Sequence, residues 1–223
     1  MKPVCVFDVN ETLLDLTALD PYFERVFGDP GVRRLWFAQL LQSALVATVT
    51  DAYSEFASIG GAALEMVAAR TNVDVSDADK RALGEAMRNL PPHPDVPTGL
   101  ERLRDGGFRL ATLTNSTAEV GEAQLRSAGI RYFFEQALSA DAVRRLKPAP
   151  EPYRLAAERL GVEVGDVLLV AAHAWDVAGA LRAGCRAAFV ARPGMVLDPL
   201  VERPEIVASD VGAVAGEIIA SAA

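Results

Sequence analysis

The chain has 223 residues, with 22 Lys and Arg against 30 Asp and Glu, for a formal net charge of −8. Of these residues 51% are apolar and 23% charged, the profile of a soluble globular protein with enough chain for a core and a smaller satellite. An acidic balance argues against nucleic-acid binding, which rewards a basic surface. The apolar tracts, such as residues 167–172, have the length of strands and fall far short of a membrane span. Lys2 is followed by a short apolar run that ends at Asp8, which is not the pattern of a signal peptide. Cys5 and Cys185 lie in apolar runs and read as small buried hydrophobes of a reducing, cytoplasmic protein.

In chain order, the first strand is Val4–Phe7, which ends in Asp8-Val9-Asn10-Glu11-Thr12. Residues 16–90 contain no strand pattern and read as helical throughout. Leu35, Leu40, Leu41, Leu45 and Val49 predict one apolar face, Leu64, Val67 and Ala68 a second, and Leu83, Met87 and Leu90 a third. Trp36, Phe37, Leu41 and Phe56 have the spacing of a packing face. The proline-rich run from Pro91 to Pro97 forbids a continuous helix and marks the return from this segment; His93 within it has no expected chemical role. A strand at Leu110–Thr114 follows, then a helix at 117–127, a strand at 137–139 and a helix at 151–160. A strand at 167–170, a helix at 176–183 and a strand at 187–190 complete the pattern.

Strands apolar on both faces that alternate with helices predict a doubly wound α/β core with a parallel sheet. The helical stretch breaks that alternation and predicts an inserted cap, residues 15–91, on a core of residues 1–14 and 92–223. Ligands of such sheets bind at the carboxyl ends of the strands. Those ends carry Asp8 with Thr12 four residues later, then Thr114-Asn115, Lys147 ahead of Pro148, and Asp176, which also stands where a helix N-cap would. A carboxylate, polar groups to orient it, a cation to keep it ionised and a second carboxylate are the parts of a covalent catalyst. Arg144-Arg145 reads as solvated surface.

With Phe7-Asp8 through Thr12-Leu13-Leu14-Asp15, Leu113-Thr114-Asn115, Lys147-Pro148 and Trp175-Asp176 in that order, nearly the whole chain resembles the haloacid dehalogenase superfamily. Within it the likeness is to the type II, L-2-haloacid dehalogenase branch. The resemblance implies a Rossmann-like core with a helical cap, and hydrolysis of short 2-haloalkanoic acids to 2-hydroxy acids through an ester on Asp8. Asp176 is implied to help activate water, Lys147 to keep the carboxylates ionised, and Thr12, Thr114 and Asn115 to fix the geometry. Tyr153 occupies the family's active-site tyrosine position, and both Tyr153 and Trp175 are placed to line the pocket.

Two positions separate the branches. Phosphatases of the superfamily carry an aspartate two residues after the nucleophile and extra carboxylates for Mg²⁺; this chain has Asn10, and Ala171, Ala172 and His173 ahead of Asp176. Halide needs neither a proton nor a metal to leave, so no cofactor is expected, with Mg²⁺ implied only by the phosphatase alternative. The dehalogenases also carry an arginine after a Leu-Trp pair, which receives the halide, and an asparagine three residues before the last aspartate. Here these are Phe37, after Leu35-Trp36, and His173; His173, with Arg33 or Arg34, is the expected replacement. Phe37 keeps a third reading open, a weakly active protein that binds a ligand or partner. The expected partner is a small anionic substrate, with neither nucleic acid nor membrane, and the apolar cap helices are compatible with a homodimer.

Overall fold

The computed structural model describes residues 2–222. Six strands, β1 (Val4–Phe7), β2 (Leu110–Thr114), β3 (Gln136–Ser139), β4 (Val167–Ala171), β5 (Arg186–Val190) and β6 (Ile206–Ala208), form one parallel sheet in the order β3-β2-β1-β4-β5-β6. Side chains alternate across a strand, so β1 feeds both faces of the sheet. Cys5 and Phe7 enter a core with Leu100, Leu103 and Val214, contributed by α5 (Val96–Asp105) and α9 (Val211–Ser221). Val4 and Val6 enter the opposite core with Ala156, Ala157, Val177 and Ala180, from α7 (Pro150–Leu160) and α8 (Ala174–Ala183). α6 (Ala118–Ser127) connects β2 to β3.

The chain winds from β1 to β2 and β3 on one side, then crosses to β4, β5 and β6 on the other. The carboxyl ends of β1 and β4 therefore meet at the topological switch point, where loops diverge and a crevice opens. The Asp8 N–H donates to Val170 O across this point (3.0 Å).

Between β1 and α5 the chain makes a helical insertion of α1 (Asp20–Phe27), α2 (Val32–Val49), α3 (Phe56–Thr71) and α4 (Asp77–Arg88). Its two connections lie side by side: Asp15 N–H donates to Pro91 O and His93 N–H to Leu13 O, both at 2.9 Å. α2 and α3 approach closely at Gly60, whose carbonyl accepts from Trp36 Nε1 (2.9 Å) and where a Cβ would come within 3.2 Å of Leu40 Cδ1. A capping box of Ser76 and Asp79 starts α4.

Several elements differ from the pattern read in the sequence. Leu35, Leu45 and Val49 are 59, 40 and 83% exposed, while Arg33, Trp36, Phe37, Leu40 and Ala44 are buried. At about 100° per residue these are opposite sides of α2, and the side with the larger aromatic rings faces inward. The faces of α3 and α4 turn inward at Leu64, Val67, Ala68, Leu83 and Leu90, with Met87 half-buried. The helix read from Asp176 starts at Ala174, with His173 as its N-cap residue, which puts Asp176 in the first turn. α5, β6 and α9 have no counterpart in that reading; in β6 a single buried residue leaves too short a period. Among the described residues no helix is long and apolar enough to cross a membrane.

α8 is seated against the loop carrying Lys147 through Gly179. A Cβ there would lie 2.6 Å from both Pro148 Cβ and Tyr153 Oη and 2.8 Å from Pro148 O. Gly179→Ala is expected to destabilise the fold by about 2 kcal/mol through overpacking. In a thermal melt followed by circular dichroism, the midpoint should fall by roughly 4–8 °C.

Candidate active site

Lys147 is the centre of the switch-point cluster. Its side chain is fully buried, and its ammonium donates to Asp8 Oδ1 (2.9 Å), Asp176 Oδ2 (2.7 Å) and Leu113 O (2.8 Å). An ammonium has three protons, and each is accounted for. The Lys147 backbone is clamped by Asn115, whose Oδ1 accepts from Lys147 N (2.7 Å) and whose Nδ2 donates to Lys147 O (3.3 Å).

The other expected residues fall into distinct places. Thr12 bridges strand ends: its hydroxyl donates to Asp8 Oδ2 (2.8 Å) and accepts from Ala172 N–H (2.9 Å). Thr114 shapes the turn after β2 by accepting from Ser116 N–H (3.2 Å) and makes no hydrogen bond to Asp8. Asn10 Oδ1 accepts from Gln124 Nε2 on α6 (3.1 Å). Tyr153, expected to line the pocket, instead lies beneath it, 1% exposed, and donates to Asp176 Oδ1 at 2.5 Å. The cause is its place on α7, whose inner side packs against the sheet. Asp176 thus has one oxygen on Lys147 and the other on Tyr153.

His173 extends the cluster toward the helical insertion. Its Nδ1 lies 3.3 Å from Asp8 Oδ2, off the alignment of a hydrogen bond, and its Nε2 is 2.9 Å from Glu11 Oε2. Glu11 in turn faces Arg33 Nη1 (3.8 Å), and Arg33 Nε donates to Asp20 Oδ1 (2.5 Å). Arg33 is therefore held by carboxylates and Arg34 is exposed; neither reaches Asp8. The His173 ring stacks on Trp175 (5.1 Å between centroids) and is flanked by Phe37 (6.1 Å). Trp175 Nε1 is buried without a partner. An apolar cavity of about 180 Å³, lined by Trp36, Leu40, Phe56, Leu64 and Leu83 with Ser116 and Gln124, lies beside this cluster; Asp8, Lys147 and His173 are not in its wall.

Glu11, Asp20 and Gln124 are the site residues that sequence reasoning passed over. Glu11 occupies the motif after β1, but nothing local shows that its carboxylate turns back to a histidine 162 residues away.

Opposite charges set the electrostatics. Burial would push Asp8 up, but the Lys147 ammonium and then the His173 imidazole outweigh it and hold this carboxyl well below its usual range. Asp176, beneath Lys147, is raised by burial and by Asp8, against the pull of Lys147 and Tyr153. Lys147 is raised despite burial by Asp176 and Asp8. Burial would lower His173, yet its contacts with Asp8 and Glu11 lift it to about 9. The result is a buried carboxylate held ionised by a buried cation, a pairing whose chemistry suits nucleophilic attack. Among the described residues no cluster of three or more His, Cys, Asp or Glu is placed to hold a metal ion.

Comparison with known proteins gives consistent matches. A model of the haloacid dehalogenase-like hydrolase family matches residues 2–184. The (S)-2-haloacid dehalogenase 2 of Pseudomonas sp. strain CBS-3 is 32% identical over 206 residues, 92% of this chain and 90% of the relative. Haloacetate dehalogenase H-2 of Moraxella sp. strain B is 29% identical over 201 residues, covering 89% and 90%. The structure of L-2-haloacid dehalogenase from Xanthobacter autotrophicus with chloropropionic acid covalently bound superposes with a TM-score of 0.91 at 25% identity, over 98% of both chains.

The raised His173 has a consequence for stability. Its folded value of about 9 lies above the roughly 6.5 of an unfolded chain. Its stabilising contribution is therefore complete below about pH 6.5 and is lost as pH rises through 9. The thermal midpoint of the wild type should fall between pH 7 and pH 9.5, by a linkage on the order of 3 kcal/mol at most. His173→Asn should flatten that slope.

Proposed function

The chain belongs to the haloacid dehalogenase-like hydrolase family, in its L-2-haloacid dehalogenase branch, and from that premise we propose that Asp8 displaces halide from short 2-haloalkanoic acids. The observation that carries this reading is the Lys147 ammonium bridging Asp8 and Asp176. In the first step an Asp8 oxygen forms a bond to C2 of the acid, and halide leaves with the bonding electron pair, with inversion. In the second, water adds to Asp8 Cγ, the Cγ–O bond to the substrate breaks, and the 2-hydroxy acid departs with an oxygen that began on Asp8.

The chain's own residues divide this work. Lys147 keeps Asp8 anionic, Thr12 fixes its rotamer, Asn115 holds the Lys147 backbone, and Asp176 with Tyr153 supports Lys147 from below. Phe37 and Trp175 wall the side toward the helical insertion, and the unpartnered Trp175 N–H is the donor open to the halide. Residues 15–91 act as the cap over a core of residues 1–14 and 92–223. On this reading the enzyme works in the cytoplasm, where free, buried cysteines such as Cys5 and Cys185 are the rule. Assembly as a homodimer is part of the proposal, through the exposed row Leu35, Leu45, Val46 and Val49 of α2. Sedimentation is expected to show a dimer for the wild type and a shift to monomer for Val49→Asp.

Halide release is to be measured with chloro-, bromo- and fluoroacetate and both enantiomers of 2-chloropropionate. Asp8→Asn should lower it by about 10⁴-fold or more, the scale of removing a nucleophile. Turnover in ¹⁸O-water should place label in the Asp8 carboxylate. Hydrolysis of phosphate esters with Mg²⁺ and none of haloacids would make the chain a phosphatase. Binding of haloacids without turnover of either class would make it a ligand-binding member.

A further inference from the structure

We infer that Arg192 is a positioning residue of this reaction: its guanidinium fixes the backbone of Thr12, and through the Thr12 hydroxyl it sets the direction from which Asp8 attacks. The inference rests on the dehalogenase reading above, since it concerns the first step of that reaction.

β1 ends at Phe7, and the chain beyond Asp8 turns instead of continuing as strand or helix. Within the turn Glu11 is left-handed, at φ 63°, a conformation unfavourable for a residue with a side chain. The N–H groups of Leu13 and Leu14 both donate to Val9 O (2.9 and 3.0 Å). Three successive carbonyls of the turn are met by groups from distant parts of the chain. Glu11 O lies 3.2 Å from His93 Nε2, and Leu13 O accepts from His93 N–H (2.9 Å). Thr12 O, between them, accepts from Arg192 Nη2 (2.9 Å). This last bond is charge-assisted, and such bonds are roughly twice as strong as neutral ones.

Arg192 is itself held in place. It stands two residues beyond β5, 7% exposed, and its Nη1 donates to Asp95 Oδ1 (2.7 Å). The other Asp95 oxygen accepts from Val211 N–H at the start of α9 (2.8 Å). Asp95 immediately precedes α5, where the chain returns from the helical insertion. One guanidinium therefore joins that return to the turn after Asp8. A lysine at this position is a point charge and lacks the planar fork that holds two partners in fixed directions.

Thr12 is thereby gripped at both ends. Its carbonyl is on Arg192, while its hydroxyl accepts from Ala172 N–H and donates to Asp8 Oδ2. Lys147 holds Asp8 by Oδ1, and its ammonium supplies charge with little directional demand. The direction of the carboxylate comes from Thr12. Displacement of halide needs a carboxylate oxygen behind C2, in line with the bond that breaks. A misplacement of about 1 Å caused by a change far from the chemistry can cost roughly 10²-fold. Loosening Arg192 thus slows the first step while the charge on Asp8 stays as it was.

The test is a double-mutant cycle on (S)-2-chloropropionate with wild type, Arg192→Lys, Thr12→Val and the double variant. Steady-state kinetics and single-turnover halide release are read at a temperature where melts show every variant folded. Arg192→Lys is expected to lower kcat and the halide rate together by roughly 10–10²-fold, with KM nearly unchanged. In the Thr12→Val background the same substitution should cost less than about threefold, because the hydroxyl it acts through is gone. General loosening of the fold would instead multiply the two losses. Asp95→Asn keeps the shape at position 95 and weakens the anchor of the guanidinium, so it takes the place of Arg192→Lys in the cycle if that variant does not fold. Unimpaired kcat in Arg192→Lys, a rise in KM alone, or losses that multiply would each overturn the inference while the dehalogenase reading stands. A wild type inert toward every haloacid overturns the dehalogenase reading, and this role with it.

Discussion

A fully buried lysine must find partners for its charge inside the protein, and meeting that demand organises this fold. Removing a carboxylate and an ammonium from water is repaid only by close, complete pairing. Lys147 obtains it from three elements at once: Asp8 after β1, the Leu113 carbonyl in β2, and Asp176 in the first turn of α8. No shorter piece of the chain contains those partners. The β2-β1-β4 order of the sheet and the seating of α8 on the Lys147 loop are what bring them to one point.

From that point charge alternates outward without a break. Asp176, Lys147, Asp8, His173, Glu11, Arg33 and Asp20 follow one another as acid, base, acid, base, acid, base, acid. The far end of the series belongs to the helical insertion, because Arg33 lies on α2 and Asp20 opens α1. A change of charge at Asp8 is therefore felt by His173, then by Glu11, then by the helical insertion through Arg33. The protein's negative charge does not weaken this arrangement. In a buried site the near partners dominate, while the surface charges are screened by solvent and salt.

Much of this was readable from the chain, for a local reason. Asp8, Lys147 and Asp176 each sit just beyond an apolar strand or in a stiff proline-bearing loop, and a parallel sheet gathers such positions at one edge. Thr12 was readable because a hydroxyl four residues after a strand-end carboxylate stays within its reach. Tyr153 was recognised as a site residue but placed in the wall of the pocket, since the register of α7 on the sheet decides that it lies below. On α2 the sequence offers two faces, one of leucines and valines and one with Trp36 and Phe37, and the second is the buried one. Only contact with α3 and the core selects between them. Glu11 gave no local signal, because its meaning depends on a ring brought up by α8.

The alternation of β1 to β5 with helices, the charged residues at the strand ends and the presence of a helical insertion were thus legible in the sequence alone. Periodicity and strand-end residues are properties of neighbours along the chain, and they do not wait on long-range contacts. The tertiary structure alone decided which face of α2 is buried, that Asp176 and Tyr153 lie beneath Lys147, and that Glu11 closes on His173. Each of these is a pairing between residues far apart in the chain. Its stability comes from burial and charge compensation, which exist only once the sheet, the helices and the insertion have closed around the same site.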